Sequence, residues 1–205
     1  MSWPFAYALL FAQFSPLIAC IWFFPSLSPL ILVKPHMVLP LILTSKVSWK
    51  GLVVTALVLI ASLLIYPTWP FVWLGKIGTY KGAPPLFSLP LGPILLLALL
   101  KYRDRRACLL ILMALMPQRV IYDQLALLLI ASSALELSLL VLCSWLALPV
   151  LLSSGDWVHM PINWQFWIVL TLYIPALIVL LLPDIKSFVN RVSRKTVGNA
   201  NAAES

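Results

Sequence analysis

Apolar stretches separated by short basic or proline-rich breaks run through almost the whole chain, and nothing else constrains its fold so tightly. They lie at roughly 4–24, 27–44, 51–68, 86–100, 107–117, 120–134, 137–153 and 165–183. A membrane-crossing helix needs about 20 apolar residues, fewer where it is short or broken. With 62% hydrophobic and only 10% charged residues over 205 positions, the apolar excess is too large for a core facing water. The mean hydropathy of +1.03 says the same. The sequence therefore predicts an all-α fold, a polytopic transmembrane helical bundle of about eight spans. The number is seven if 107–134 is one bent span, because Met116-Pro117-Gln118-Arg119 is a place for a helix to break or re-enter.

Charge tests that count. If the loop KYRDRR at 101–106 and the tail after Asp184 are both cytoplasmic, an even number of crossings must separate them, and four are available. Lys46, Lys50, Lys101, Arg103, Arg105, Arg106, Lys186, Arg191, Arg194 and Lys195 then lie inside. Lys76, Lys81 and Arg119 lie outside, and Lys34 lies within a span, so the 14 basic residues divide as ten, three and one. Both termini are then cytoplasmic. The division is 1–184 as the transmembrane domain and 185–205 as a basic, disordered cytoplasmic tail. A net charge of +8 built from such loops argues against nucleic acid, since no basic stripe is interleaved with exposed aromatics.

Eight of the nine tryptophans, all but Trp145, stand near expected span ends, where amphipathic rings anchor at the headgroup level. Cys20, Cys108 and Cys143 fit no metal or redox spacing and read as packing residues, and no metal site is expected. His36 and His159 each stand alone. The stretch before Lys34 carries no charge, so it lacks both a signal peptide's basic start and a topogenic anchor, and the natural protein or its relatives are expected to begin further upstream.

Three polar clusters fall on the non-cytoplasmic side. Lys34-Pro35-His36 lies about two turns in from the outer end of the second span. The loop 67–85 carries Trp69, Trp73, Lys76, Tyr80 and Lys81, and PQRVIYDQ at 117–124 carries Arg119, Tyr122 and Asp123. A lysine at the centre of a bilayer costs about 3 kcal/mol, so it faces a partner or a cavity. Together the clusters would make a positive, aromatic-lined pocket suited to a lipid-linked phosphate. The plainer alternatives are a snorkelling Lys34, an Arg119–Asp123 pair bracing a broken helix, and an aromatic loop that only anchors. Of the acidic residues expected outside, Asp123 and Asp156, Asp123 is the candidate general base.

Four stretches, FAQFSPLIAC (11–20), ILVKPHMVLPLIL (31–43), YPTWPFVWLGKIGTY (66–80) and MPQRVIYDQLALLL (116–129), resemble in order and spacing the later part of bacterial polytopic mannosyltransferases. Those enzymes belong to the GT-C superfamily, in the group whose donor is polyprenyl-phosphate-linked mannose. The resemblance implies a GT-C-like helical enzyme of the bacterial cytoplasmic (inner) membrane with its site on the extracytoplasmic face. No cofactor is expected beyond the lipid-linked sugar donor. Gln13, Lys34, Pro35, Arg119, Tyr122 and Asp123 match the motif positions, with Lys34, Arg119 and Lys76 toward the donor phosphate or lipid. Gln13, His36, Trp69, Trp73, Tyr80 and Tyr122 would line the pocket. The chain departs from the family in lacking the early extracytoplasmic loop with its catalytic carboxylate. It is then a truncated relative, needs a partner membrane chain, or keeps the scaffold for another purpose. A non-catalytic membrane subunit or scaffold is the rival reading, and a lipid-substrate transporter is disfavoured by the few polar residues in the cytoplasmic halves of the spans.

Overall fold

A computed structural model describes residues 1–45, 48–77, 83–117, 121–149 and 164–183. Helix is the only regular architecture built there. In chain order the α-helices are α1 (Trp3–Leu10), α2 (Ser15–Ala19), α3 (Pro35–Thr44), α4 (Trp49–Ile65), α5 (Trp69–Ile77), α6 (Arg105–Leu115), α7 (Ala134–Trp145) and α8 (Gln165–Pro183). Long 3-10 segments stand between them at Pro25–Leu32, Gly92–Lys101 and Ile121–Ile130. Runs of that length are unusual for 3-10 geometry. At Pro25–Leu32 an interior Pro29 removes a backbone donor, and at Gly92–Lys101 Pro93 stands at the start.

Local sequence explains where the helices begin and end. Ser2, Ser48 and Asp104 offer side-chain oxygens to the first-turn N–H groups of Phe5, Gly51 and Arg106. Ahead of α7, Ser133 Oγ accepts from Glu136 N, while the Glu136 carboxylate accepts from Ser132 N and Oγ, both at 2.7 Å. Helix α1 ends in a pair of reversed bonds, Gln13 N to Ala8 O at 2.8 Å and Ala12 N to Leu9 O at 3.1 Å, with Ala12 in the left-handed region at φ 49°. In α8 a π-helical turn, Val169–Tyr173, comes directly before Pro175 and relaxes the ladder where proline cannot donate.

The 3-10 segment Ile121–Ile130 is the centre of the core. It packs against α1, α2, α3, α6, α7 and the π turn of α8, and its residues Asp123 to Leu127 and Ile130 are buried. The apolar stretches 107–117 and 120–134 are two arms rather than one bent helix. They lie side by side, and Arg106 Nη1 at the start of one reaches the Ile130 carbonyl at the end of the other at 3.5 Å.

The stretch 27–44 also breaks in two and folds back. Lys34 has φ −143° and ψ 78°, extended backbone of the kind required before a proline, and α3 starts at Pro35. A straight rod of ten α and eight 3-10 residues would leave Thr44 about 30 Å from Pro25. From Thr44 to Gly51, with 49–51 already helical, the chain reaches only about 20 Å. Yet Gly51, in the first turn of α4, lies so close to this segment that a Cβ there would stand 2.5 Å from Ser28 Oγ and 2.8 Å from Pro25 O. Ser28 Oγ and Thr55 Oγ1 also share a hydrogen bond of 3.3 Å. Residues 25–44 are therefore a hairpin with Lys34 at its bend.

Among the described residues one helix, α8, is long and apolar enough to cross a membrane unaided, with 19 residues and a mean hydropathy of 2.4. Helices α4 and α5 pass the same test together but meet at 94° after Tyr66-Pro67. Of the other apolar stretches, 4–24, 27–44 and 86–100 are divided into shorter pieces, with prolines and Lys34 at or beside the breaks, while 107–117 and 120–134 each hold one short helical element. Helix α4 stands out for its bareness: after Gly51 no residue of it is buried, and Leu57, Ile60, Leu64 and Ile65 are exposed, the last at 85%.

Candidate functional site

Three chain segments meet at Asp123. The left-handed turn at Ala12 ends α1 and presents Gln13, the bend at Lys34 opens α3, and the central 3-10 segment supplies the carboxylate. Lys34 Nζ donates to Gln13 Oε1 and to Asp123 Oδ1, each at 3.3 Å. The other carboxylate oxygen faces His36 Nε2 at 3.7 Å, beyond direct hydrogen-bond distance. Gln13 holds its own amide by donating from Nε2 to Phe11 O at 3.1 Å.

Burial makes this arrangement consequential. The Asp123 side chain is 4% exposed, and a carboxylate so enclosed needs an opposite charge or strong donors. Lys34, at 18%, is the nearest cation among the described residues. At 3.3 Å both contacts exceed the roughly 2.7–2.9 Å of a tight charge-assisted bond, so the ammonium is committed to neither the amide oxygen nor the carboxylate alone. A carboxylate held in this way can take a proton from a hydroxyl, and its ammonium can be drawn onto a competing anion.

The expected residues divide unevenly. Gln13, Lys34, His36 and Asp123 are brought together. Trp69 is not with them: its indole N–H goes to Ser62 Oγ at 3.2 Å, across the α4–α5 corner. Trp73 is 44% exposed and hydrogen-bonds to none of the four. Lys76 on α5 and Tyr122 on the central segment are described in backbone only, while Tyr80, Lys81, Arg119, Asp156 and His159 lie outside the described residues, as does the tail 185–205. Among the described residues Asp123 pairs with Lys34, and the alternative Arg119–Asp123 pair involves a residue that lies outside them.

Gln124 was not singled out by sequence reasoning. It is fully buried beside Asp123, and neither Oε1 nor Nε2 has a partner among the described residues. Its only sequence mark is its place in PQRVIYDQ. The three thiols are free, and no group of three His, Cys, Asp or Glu that could hold a metal exists among the described residues.

No family model matches the chain, and no curated protein or solved structure is similar enough to it to count as a match.

Proposed function

We propose that this is a polytopic helical protein of the bacterial cytoplasmic membrane, related to glycosyltransferases that use a polyprenyl-phosphate-linked hexose, with its working groups at Gln13, Lys34, His36 and Asp123. One observation carries the reading. The Gln, the Lys-Pro and the Asp that carry the resemblance stand 21 and 89 positions apart in pairs, and the Gln, Lys and Asp side chains meet at one part-buried point around the enclosed Asp123 carboxylate. The membrane setting is supported separately by the bare apolar surfaces of α4, of Gly92–Lys101 and of α7, which exceed what a protein in water leaves uncovered.

In this reading Asp123 accepts the proton of the acceptor hydroxyl as that oxygen bonds to the anomeric carbon. The bond from that carbon to the phosphate oxygen breaks, and the polyprenyl phosphate leaves with the electron pair. Lys34 turns from the carboxylate to the phosphate, and Arg119 and Lys76 add to the charge that meets it. Gln13 and His36 orient the two groups, and the aromatic segment 67–85 takes the apolar part of the donor. No cofactor is invoked.

The rival is a non-catalytic membrane subunit, favoured by α4, whose residues beyond Thr55 meet so little of this chain that a second protein could cover them. Transfer from a polyprenyl-phosphate hexose in membrane vesicles separates the readings. Lys34→Ala and Asp123→Asn should each abolish transfer while the protein still inserts, and wild-type rates in both variants would reject the roles assigned here. A wild-type chain that transfers nothing but copurifies with a fixed membrane partner would establish the subunit.

A further inference from the structure

We infer that residues 25–44 enter and leave the membrane on the same, basic face, so that the amino terminus lies on the opposite face from the one that eight alternating spans would give it. The inference rests on the membrane reading above but not on sugar transfer.

Contacts between ends of different elements fix which ends share a level. On one level, the Arg105 guanidinium lies 3.9 Å over the Trp22 ring, and Trp22 and Phe23 line one recess with Ser132 and Ser133. Pro25 and Ser28 meet Gly51, the residue after Lys50. Lys101 Nζ donates to Leu180 O at 2.7 Å near the end of α8. These contacts gather Trp22, Pro25, Gly51, Lys101, Arg105, Ser132 and Leu180 on the side where the basic loops lie.

The other level is equally consistent. Trp145 Nε1 donates to Met1 O, and Trp3 N donates to Ser144 Oγ, both at 3.0 Å. Ser144 and Trp145 close α7, about 17 Å from its start beside Ser133. Gln165 Nε2, opening α8, donates to Ala83 O at 2.9 Å. Residues 1 and 22 thus belong to opposite levels, as one crossing requires. Residues 25 and 51 share the basic level, so the segment between them does not cross.

The charge pattern accepts this change unaltered. Moving the amino terminus across the membrane shifts only the stretch before Lys34, which has no charged side chain, and the ten, three and one division of basic residues stands. Depth follows from the same geometry. Asp123 stands seven 3-10 residues, about 14 Å, from Ile130 beside Arg106, and Lys34 stands about 16 Å along the hairpin from Pro25. Both estimates put the pair near the middle of a core about 30 Å thick, beyond the reach of a snorkelling side chain. Its groups are then approached from the face opposite the basic loops, above the bend of the hairpin.

Single cysteines at exposed or half-exposed positions decide the matter, with Cys20, Cys108 and Cys143 replaced by alanine. After an alkaline carbonate wash to show that the chain is membrane-embedded, Ser26→Cys, Ser45→Cys, Tyr102→Cys and Thr68→Cys are treated in intact cells with a membrane-impermeant maleimide. Ser26→Cys and Ser45→Cys should both match Tyr102→Cys, losing labelling in intact cells and regaining it on permeabilisation, while Thr68→Cys labels throughout. A peptide tag ahead of Met1 should be digested from outside. Labelling of Ser26→Cys in intact cells with Ser45→Cys protected, or a protected tag, would overturn the hairpin. Release by carbonate would instead overturn the membrane reading itself.

Discussion

Lys34 Nζ lies 3.3 Å from Asp123 Oδ1 although the two residues are 89 positions apart, so the pair ties the bend of one hairpin to the central helix of the fold. Breaking such a pair by removing one member leaves the other charge enclosed, at a cost of about 3–5 kcal/mol, whereas replacing both with apolar groups of similar size is often neutral. Lys34→Met and Asp123→Leu should each lower the unfolding free energy in detergent by an amount of that order. The double variant should recover most of it. Additive losses in the double variant would mean that the two charges do not depend on each other.

Ala12 is a non-glycine residue at φ 49° in the turn that ends α1 and aims Gln13. The left-handed conformation costs a residue with a Cβ about 1 kcal/mol, and glycine escapes that cost. Ala12→Gly is expected to raise stability by up to about 1 kcal/mol, and Ala12→Val to lower it. Thermal midpoints of the three proteins in one detergent provide the check.

Asp104 caps α6 and holds Arg106, whose Nη2 lies 2.8 Å from Oδ2. The Arg106 side-chain hydrogen bond is the largest influence on this carboxyl and holds its pKa below the ordinary value. A depressed carboxyl pKa stabilises the fold above the unfolded value, about 3.9, and that stability is lost as pH falls through the folded value. Wild-type stability should therefore drop below about pH 4 more steeply than that of Asp104→Asn, which keeps a capping oxygen but has no charge to lose. Near neutral pH, Asp104→Ala should cost about 1 kcal/mol, as for a lost cap. Melting curves from neutral pH to pH 3 would expose a slope that fails to differ between wild type and the asparagine variant.

Much of the local structure is legible in the residues. Serine or aspartate stands at the helix starts, proline stands at the breaks, and the apolar stretches carry the helices. That Lys34 needs a partner is also legible, since a charged group in greasy surroundings does. The identity of the partner is not: a charged pair 89 residues apart is set by how the central segment packs, and no spacing rule reaches that far. The reversal at Lys34 is hidden for a different reason. A hairpin with two apolar arms and a straight span present the same hydropathy, and only the close approach at Gly51 tells them apart. Trp69 and Trp73 fall away from the cluster because a 94° corner separates their helix from the preceding one, and the apolar pattern contains no angle.

The bareness of α4 has a consequence for handling the protein. Beyond Thr55 this helix meets little of its own chain and is held in place by its surroundings, so the position of that part depends on the solvent. Detergents with thin or fluid shells would let it swing on the Gly51 contact while the buried centre stays intact. Structural uniformity in a purified sample would then depend on the amphiphile chosen before it depended on any mutation.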